Sequence, residues 1–418
     1  MVRDGATAWF DTGAPDAYYG WSLEVTMKQM VSVIMLLFAT AALGAQTQHE
    51  VVTRHYRVLS QVSQEHAEQT AAKLEAMIPL YNRYFRFDLS TLPRPMTVRI
   101  FADRAGFHAY LLDTIGEDRD DFVYLHYSDP ARSELVAFAL ESPQFEQMLA
   151  HQNFIQFLRA FVANPPLWMR EGFAVFFERS RFDPALQTVV YRENLAWLDA
   201  LKAILDGSSG AAPLPLGEML TMDVETARRN LEVFYPQAWG MVSFLVNAES
   251  RDINRLLWDA INALSPAASL RDNINRVNER AFSWIDESQM VESFLAYIES
   301  RRSFPSLVEN GIDAYDRRDF AAAETAFITA VNIDPDNHIP HYYLGLINYE
   351  RGNHQLAEQY FREALERDAP EALVFYAMGV NAFAAGRFAD ATRFFEETMN
   401  RDPQRFTDRI NQLVDRMN

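Results

Sequence analysis

Residues 145–178 read FEQMLAHQNFIQFLRAFVANPPLWMREGFAVFFE. The stretch predicts two helices separated at Asn164-Pro165-Pro166. Proline has no backbone N–H to donate, and it pushes the residue before it out of the helical region. In the first helix Met148, His151, Ile155, Leu158 and Val162 follow a 3-4-3-4 spacing and share one face. In the second, Trp168 precedes Glu171-Gly172, and Glu171, Val175 and Glu178 recur at helical spacing.

This layout resembles the metal site of the gluzincin metallopeptidases, the peptidase-MA-like pattern. There HExxH on one helix supplies two zinc-binding histidines, and a glutamate on the next helix supplies the third ligand. On that pattern His151 matches the first histidine and Glu171 the third ligand. Gln152 stands at the place of the catalytic glutamate and Ile155 at the place of the second histidine. The frame around Glu171 is kept in Pro166, Trp168, Gly172 and Ala174.

A zincin needs three protein ligands and one open position. Two imidazoles at i and i+4 share a helix face, and the glutamate between them takes a proton from metal-bound water. Ile155 offers no lone pair, and an amide at Gln152 is no base near neutral pH. The resemblance therefore implies remnant ligands at His151 and Glu171, with no cofactor expected. Zinc enters only under the alternative of an altered metal site, where His108 or His126 would have to swing in from the N-terminal sheet. Without metal, His151 is expected to bond to Glu171 or to a carbonyl. Tyr235 invites two readings: an oxyanion donor, as gluzincins often use, or a packing residue beside Trp239.

The chain of 418 residues carries a formal charge of −19, 49% hydrophobic residues and no cysteine. The apolar content suffices for large cores. The acidic balance disfavours nucleic acid and anionic lipid as partners. Lack of cysteine excludes disulfides, thiolate ligands and a cysteine nucleophile. Met27-Lys28, an apolar run from Val31 to Leu43, and Gly44-Ala45 read as a secretory signal over 27–45. The run falls short of the ~20 residues of a membrane span. Residues 1–26 then read as an upstream extension, with translation starting at Met27. The signal is either cleaved or kept as an anchor. Cleavage would leave no stable membrane span and place the protein in a bacterial periplasm or cell envelope.

Residues 50–302 are expected to form one peptidase-MA-like domain. Val51–Val58 and Met96–Phe101 predict strands, with a helix over Glu65–Phe85 that Pro79 would kink. A short helix over Arg104–Thr114 and two further strands, Asp121–Tyr127 and Leu135–Leu140, complete a small mixed sheet. Such a sheet before the histidine helix is also how peptidase-MA-like domains begin. Residues 181–302 read as mostly helical. The aromatic helix containing Tyr235 and Trp239 is similar to the helical subdomain beneath the gluzincin site.

The chain ends in an internal repeat of 34 residues, the tetratricopeptide period. Repeats starting at Phe304, His338 and Ala372 place Gly311, Gly345 and Gly379 at the eighth position. Ala323, Ala357 and Ala391 fall at the twentieth, and Phe327, Phe361 and Phe395 at the twenty-fourth. Small residues let paired helices approach, and the phenylalanines are expected to fill the space between repeats. Phe406–Asn418 reads as a capping helix closing the 304–418 array. The resemblance to tetratricopeptide repeats implies that positions 5, 9 and 12 face a concave groove. These are Val308, Ile312 and Tyr315, then Tyr342, Leu346 and Tyr349, then Tyr376, Val380 and Phe383. This lining suits an apolar peptide or helix, or else packs against the preceding domain or the cap.

The fold class expected is α+β: a small mixed sheet with zincin-like helices, a helical subdomain, and an all-α solenoid. The function expected is a non-catalytic scaffold binding a protein or peptide through the repeats. A zinc metallopeptidase with an altered site is the alternative.

Overall fold

The computed structural model describes residues 48–414. The upstream extension and signal segment expected over 1–45 lie outside the described residues. Strand β1 (His49–Val52) turns through Thr53 into β2 (Tyr56–Ser60). A single strand over Val51–Val58 was the expectation. The Thr53 N–H donates to the Tyr56 carbonyl at 2.8 Å, and its hydroxyl side chain accepts from the Tyr56 N–H, so the run folds into a tight hairpin instead.

Helix α1 (Gln64–Phe85) follows, capped by Ser63, which accepts from the His66 N–H. It continues through Pro79 as one helix. Then come β3 (Met96–Phe101), α2 (Arg104–Ile115), β4 (Val123–Leu125) and β5 (Glu134–Phe138). The five strands form a mixed sheet in the order β1-β2-β3-β5-β4. The central pairs β2–β3 and β3–β5 are parallel, with Val58 opposite Val98 and Val98 opposite Leu135. These central residues are fully buried, as parallel strands covered on their faces require. The outer pairs are antiparallel, and β4 forms one edge.

Helix α3 (Gln144–Phe161) crosses this sheet. Its Gln156 amide donates to the Thr97 carbonyl at 2.8 Å, and its Asn153 amide donates to the Tyr56 hydroxyl at 2.7 Å. Helix α4 (Leu167–Phe177) starts directly after Pro166, whose carbonyl accepts from the Arg170 N–H. Tyr81, Phe154, Phe173 and Phe177 interlock between α1, α3 and α4 with ring centroids 5.0–5.7 Å apart. Such aromatic contacts add to the burial of the rings themselves.

A hairpin of β6 (Arg181–Asp183) and β7 (Thr188–Val190) then interrupts a region expected to be helical. Helices α5 (Ala196–Leu205), α6 (Leu216–Thr221), α7 (Val224–Arg229), α8 (Leu231–Asn247) and α9 (Arg251–Ala263) follow. They continue into α10 (Leu270–Val277), a short π-helical turn over Asn278–Phe282, and α11 (Glu287–Ser300). Helices α4 and α8 lie in close contact at Gly172. A Cβ there would stand 2.8 Å from the Ala238 carbonyl carbon and from Val242 Cγ2, too close for any larger residue. The Glu171-Gly172 pair is thus one device: the glycine brings α8 up to the glutamate.

The remaining chain forms paired helices: α12 (Phe304–Asp316) with α13 (Phe320–Ile333), and α14 (His338–Glu350) with α15 (His354–Leu365). Helix α16 (Glu371–Ala384) pairs with α17 (Phe388–Arg401), and α18 (Pro403–Val414) ends the array. The repeat phenylalanines pack within their repeat, and Phe327 also reaches the next one, stacking on Tyr343 at 4.9 Å. Gly311, Gly345 and Gly379 each lie against the ring of Phe327, Phe361 or Phe395 in their own repeat. Ile333 of α13 packs against the core of the sheet-bearing part, and a polar contact joins the same two regions. Asp336, between α13 and α14, accepts from Arg181 of the β6 strand and from Arg192, the latter at 3.2 Å. Among the described residues no helix is long and apolar enough to cross a membrane.

Candidate functional site

Three helices and one edge strand bring the sequence-derived residues together. His151 lies midway along α3. Its Nδ1 is 3.1 Å from Glu178 Oε2 at the end of α4, and its Nε2 is 3.6 Å from Glu171 Oε2. Glu171 is buried. Its other oxygen, Oε1, accepts from Arg170 at 2.6 Å, and its Oε2 accepts from the Tyr235 hydroxyl of α8 at 3.3 Å. Asn194 donates to the second oxygen of Glu178. Tyr235 stacks on Trp197 at 6.2 Å rather than on Trp239.

These contacts set the charges. Burial alone would lower the His151 pKa, but hydrogen bonds to Glu171 and Glu178 and their negative charge raise it to about 9. Burial would raise that of Glu171, but the Arg170 charge and the His151 contact lower it to about 2. The Glu171 charge, followed by burial, pushes the Tyr235 phenol well above its ordinary value. Near neutral pH the cluster therefore holds an imidazolium at His151 against a carboxylate at Glu171, with a protonated tyrosine beside them. His151 and Tyr235 are held above their ordinary values and Glu171 below its own, away from the near-neutral range that favours general acid–base catalysis.

A zinc ion tests the residues further. Imidazole ligands commonly donate their second ring N–H to a carboxylate, and Glu178 supplies that contact to His151. His151 Nε2 and Glu171 Oε2 face one another as two ligands of one ion would. The set stops there. Ile155, one helical turn further, is a buried aliphatic side chain. The Gln152 Oε1 accepts from the Tyr124 N–H of β4 at 3.3 Å, so this side chain is directed at the edge strand. His108 pairs with Asp118 at 3.3 Å. His126 lies 3.5 Å from the Tyr124 hydroxyl. Among the described residues no group of three or more His, Cys, Asp or Glu side chains is arranged to hold a metal ion. The donors present do not fit a three-ligand zinc centre.

Glu178, Asn194 and Arg170 complete the cluster, and none was singled out as a partner of His151 from the sequence. The signal for Glu178 was its 4-3 spacing from Glu171 through Val175, which places it on the same face of α4. Arg170 and Asn194 carried none.

The groove positions on the repeats differ in accessibility. Val308 is buried against Leu307 and Ala330. Ile312, Tyr315, Tyr342, Leu346, Tyr349, Tyr376, Val380 and Phe383 are half-buried. Tyr315 meets Tyr343 edge-on at 5.6 Å, and Tyr376 packs on Phe406 of α18 at 4.9 Å. The cap thus covers part of the last tyrosine. Residues 308–372 match the tetratricopeptide repeat family. Such repeats are protein-interaction modules. The matched segment runs from the first helix pair to the start of the third, and all three tetratricopeptide units share the glycine–phenylalanine contact. Residues 149–265 match a family described as "Protein of unknown function (DUF1570)". That segment opens two residues before His151 and ends just past α9, so it holds His151, Glu171, Glu178, Asn194 and Tyr235. Each match covers less than half of the chain. No curated protein matches it.

Proposed function

We propose that this protein is an exported, non-catalytic gluzincin-like protein that binds a protein or peptide through its tetratricopeptide repeats. The observation that carries this reading is the direct contact of His151 with Glu171 at 3.6 Å, with the buried Ile155 where a third donor is required. The charges that once could have held a metal instead balance one another. Gln152 supports the same reading, since its amide oxygen serves a backbone N–H of the edge strand. The half-buried tyrosines of the repeats supply the aromatic surface for a partner, which aromatic-rich interfaces favour. Export rests on the apolar segment over 27–45 and makes the envelope the place of action.

Metal analysis of the purified protein tests the non-catalytic part. The expected result is zinc well below one per chain and no chelator-sensitive cleavage of a peptide library. Zinc at one per chain together with such cleavage would overturn it.

A further inference from the structure

A cavity of about 640 Å³ lies between the end of α8, the start of α9 and helix α11, within the ~300–1,000 Å³ range of small-molecule sites. None of its lining residues belongs to the His151 cluster or to the repeats. Its apolar lining includes Phe244 and Ile253, both buried, with the Tyr297 ring 5.6 Å from that of Phe244. Gln289, Ser293 and Tyr297 recur every four residues along α11 and line the cleft, whereas the neighbouring stripe of Met290, Phe294 and Ile298 is buried in the core. Trp284, in the turn before α11, also lines it and is the only exposed tryptophan among the described residues.

A relay of hydrogen bonds holds one wall in place. Arg301 donates to Glu193 Oε2, and Ser243 donates to Glu193 Oε1. Ser243 has thus given up its one hydroxyl proton, so the Tyr297 hydroxyl donates to Ser243 at 2.8 Å. Asn247 Nδ2 donates in turn to the Tyr297 hydroxyl at 3.3 Å and to the Ser243 carbonyl at 2.9 Å. The Asn247 amide is therefore fixed, and its oxygen accepts no bond among the described residues. The side chains of Gln289, Glu249 and Asp252 also line the cleft and meet no partner among the described residues.

These groups define the ligand. Glu249, Asp252 and Asp286 in the lining disfavour an anion. A cation would use the carboxylates but leave the amide N–H donors of Gln289 idle, and the Trp284 ring already carries the Arg255 guanidinium at 5.4 Å. A sugar uses both kinds of group. Each of its hydroxyls donates and accepts, and the C–H face of a pyranose ring covers an exposed indole. We propose that this cleft binds a neutral saccharide, whose ring stacks on Trp284 while its hydroxyls bond to Asn247, Gln289 and Asp252. The site depends on neither the catalytic state of the His151 cluster nor the repeat groove.

Calorimetric titration of the purified full chain tests this with neutral disaccharides (diacetylchitobiose, cellobiose and maltose) and with tetramethylammonium chloride as the cationic probe. At least one disaccharide is expected to bind with a Kd tighter than about 10 mM. Trp284→Ala should weaken that binding about tenfold or more, and Trp284→Phe, which keeps a ring, should weaken it less. Both changes fall at an exposed position and should leave the melting temperature unchanged. Gln289→Ala, at an exposed helix position, should cost severalfold and guards against a fold defect in the tryptophan variants. Asp252→Asn keeps an acceptor and removes the charge, so a neutral ligand should tolerate it. Binding of tetramethylammonium without any disaccharide would overturn the proposal and assign the cleft to a cation. So would disaccharide affinities all weaker than about 10 mM, or an unchanged affinity in folded Trp284→Ala.

Discussion

His151 reaches Glu178 across 27 residues of chain, its Nδ1 3.1 Å from Oε2. This contact joins the middle of α3 to the end of α4, and the Glu171 contact joins the same ring to the start of α4. Removing the imidazolium leaves two largely buried carboxylates without their shared counter-charge. His151→Ala should therefore destabilise the protein by about 3–5 kcal/mol, the range for breaking a buried ion pair. Glu178→Gln keeps a hydrogen-bonding side chain and should lose about 1–3 kcal/mol. Urea unfolding of the two variants checks both values, and a loss below about 1 kcal/mol for His151→Ala would place the cluster among weak surface pairs.

The same cluster has a pH signature. His151 is raised from its ordinary 6.5 to about 9, so its contribution is complete below 6.5 and fades as pH rises through 9. Glu171 is lowered from 4.5 to about 2, so its contribution is complete above 4.5 and fades as pH falls toward 2. The two windows overlap between 4.5 and 6.5. The stability gap between the natural protein and His151→Ala should be largest there and should narrow on either side. Unfolding midpoints measured for both proteins from about pH 2 to above pH 9 would test it. A gap independent of pH would mean that the ring contributes packing rather than charge.

The gluzincin-like reading proposed above can be tested by adding the missing metal donors stepwise. His151 and Glu171 already face one another, and Glu178 already orients the imidazole. Ile155→His places a second imidazole one turn along the same face. The variant should take up zinc to about one per chain, whereas peptide cleavage should need Gln152→Glu in addition. Metal content of the single and double variants decides the matter. A folded double variant that binds no zinc would show that the Arg170 contact holds Glu171 out of reach.

The helices on either side of Pro165-Pro166 were legible because their buried faces repeat at helical spacing, and the solenoid because its small and aromatic residues recur every 34 residues. The small mixed sheet was legible too, except where Val51–Val58 folds back at Thr53 into a hairpin, a choice made by side-chain-to-backbone bonds rather than by hydropathy. The β6–β7 hairpin was missed because its strands are three residues each, too short to show a period. At the site, His151, Glu171 and Tyr235 came from a motif. Arg170 and Asn194 did not, because their bonds to Glu171 and Glu178 exist only in the folded chain. The repeat phenylalanines were placed by spacing, and Phe327 does stack on Tyr343 of the next repeat; what spacing did not name is the contact of each ring with the glycine of its own repeat.

That last contact yields a separate prediction. A Cβ on Gly345 would stand 2.5 Å from Phe361 Cε1 and 2.6 Å from Cδ1, while Phe361 is fully buried. The ring can retreat only by prying α14 from α15. Gly345→Ala should thus destabilise the array by about 1–3 kcal/mol through overpacking. Phe361→Ala leaves a cavity at the same place and should cost more, about 3–5 kcal/mol. Combining Gly345→Ala with Phe361→Leu relieves the clash and should lose less than the sum of the two single changes, because the residues share one contact. Because each repeat leans only on its neighbours, protection from hydrogen exchange should fall across α12–α17 more than in the β2–β3–β5 sheet. Equal loss of protection in both regions would show that the array and the sheet unfold as one unit.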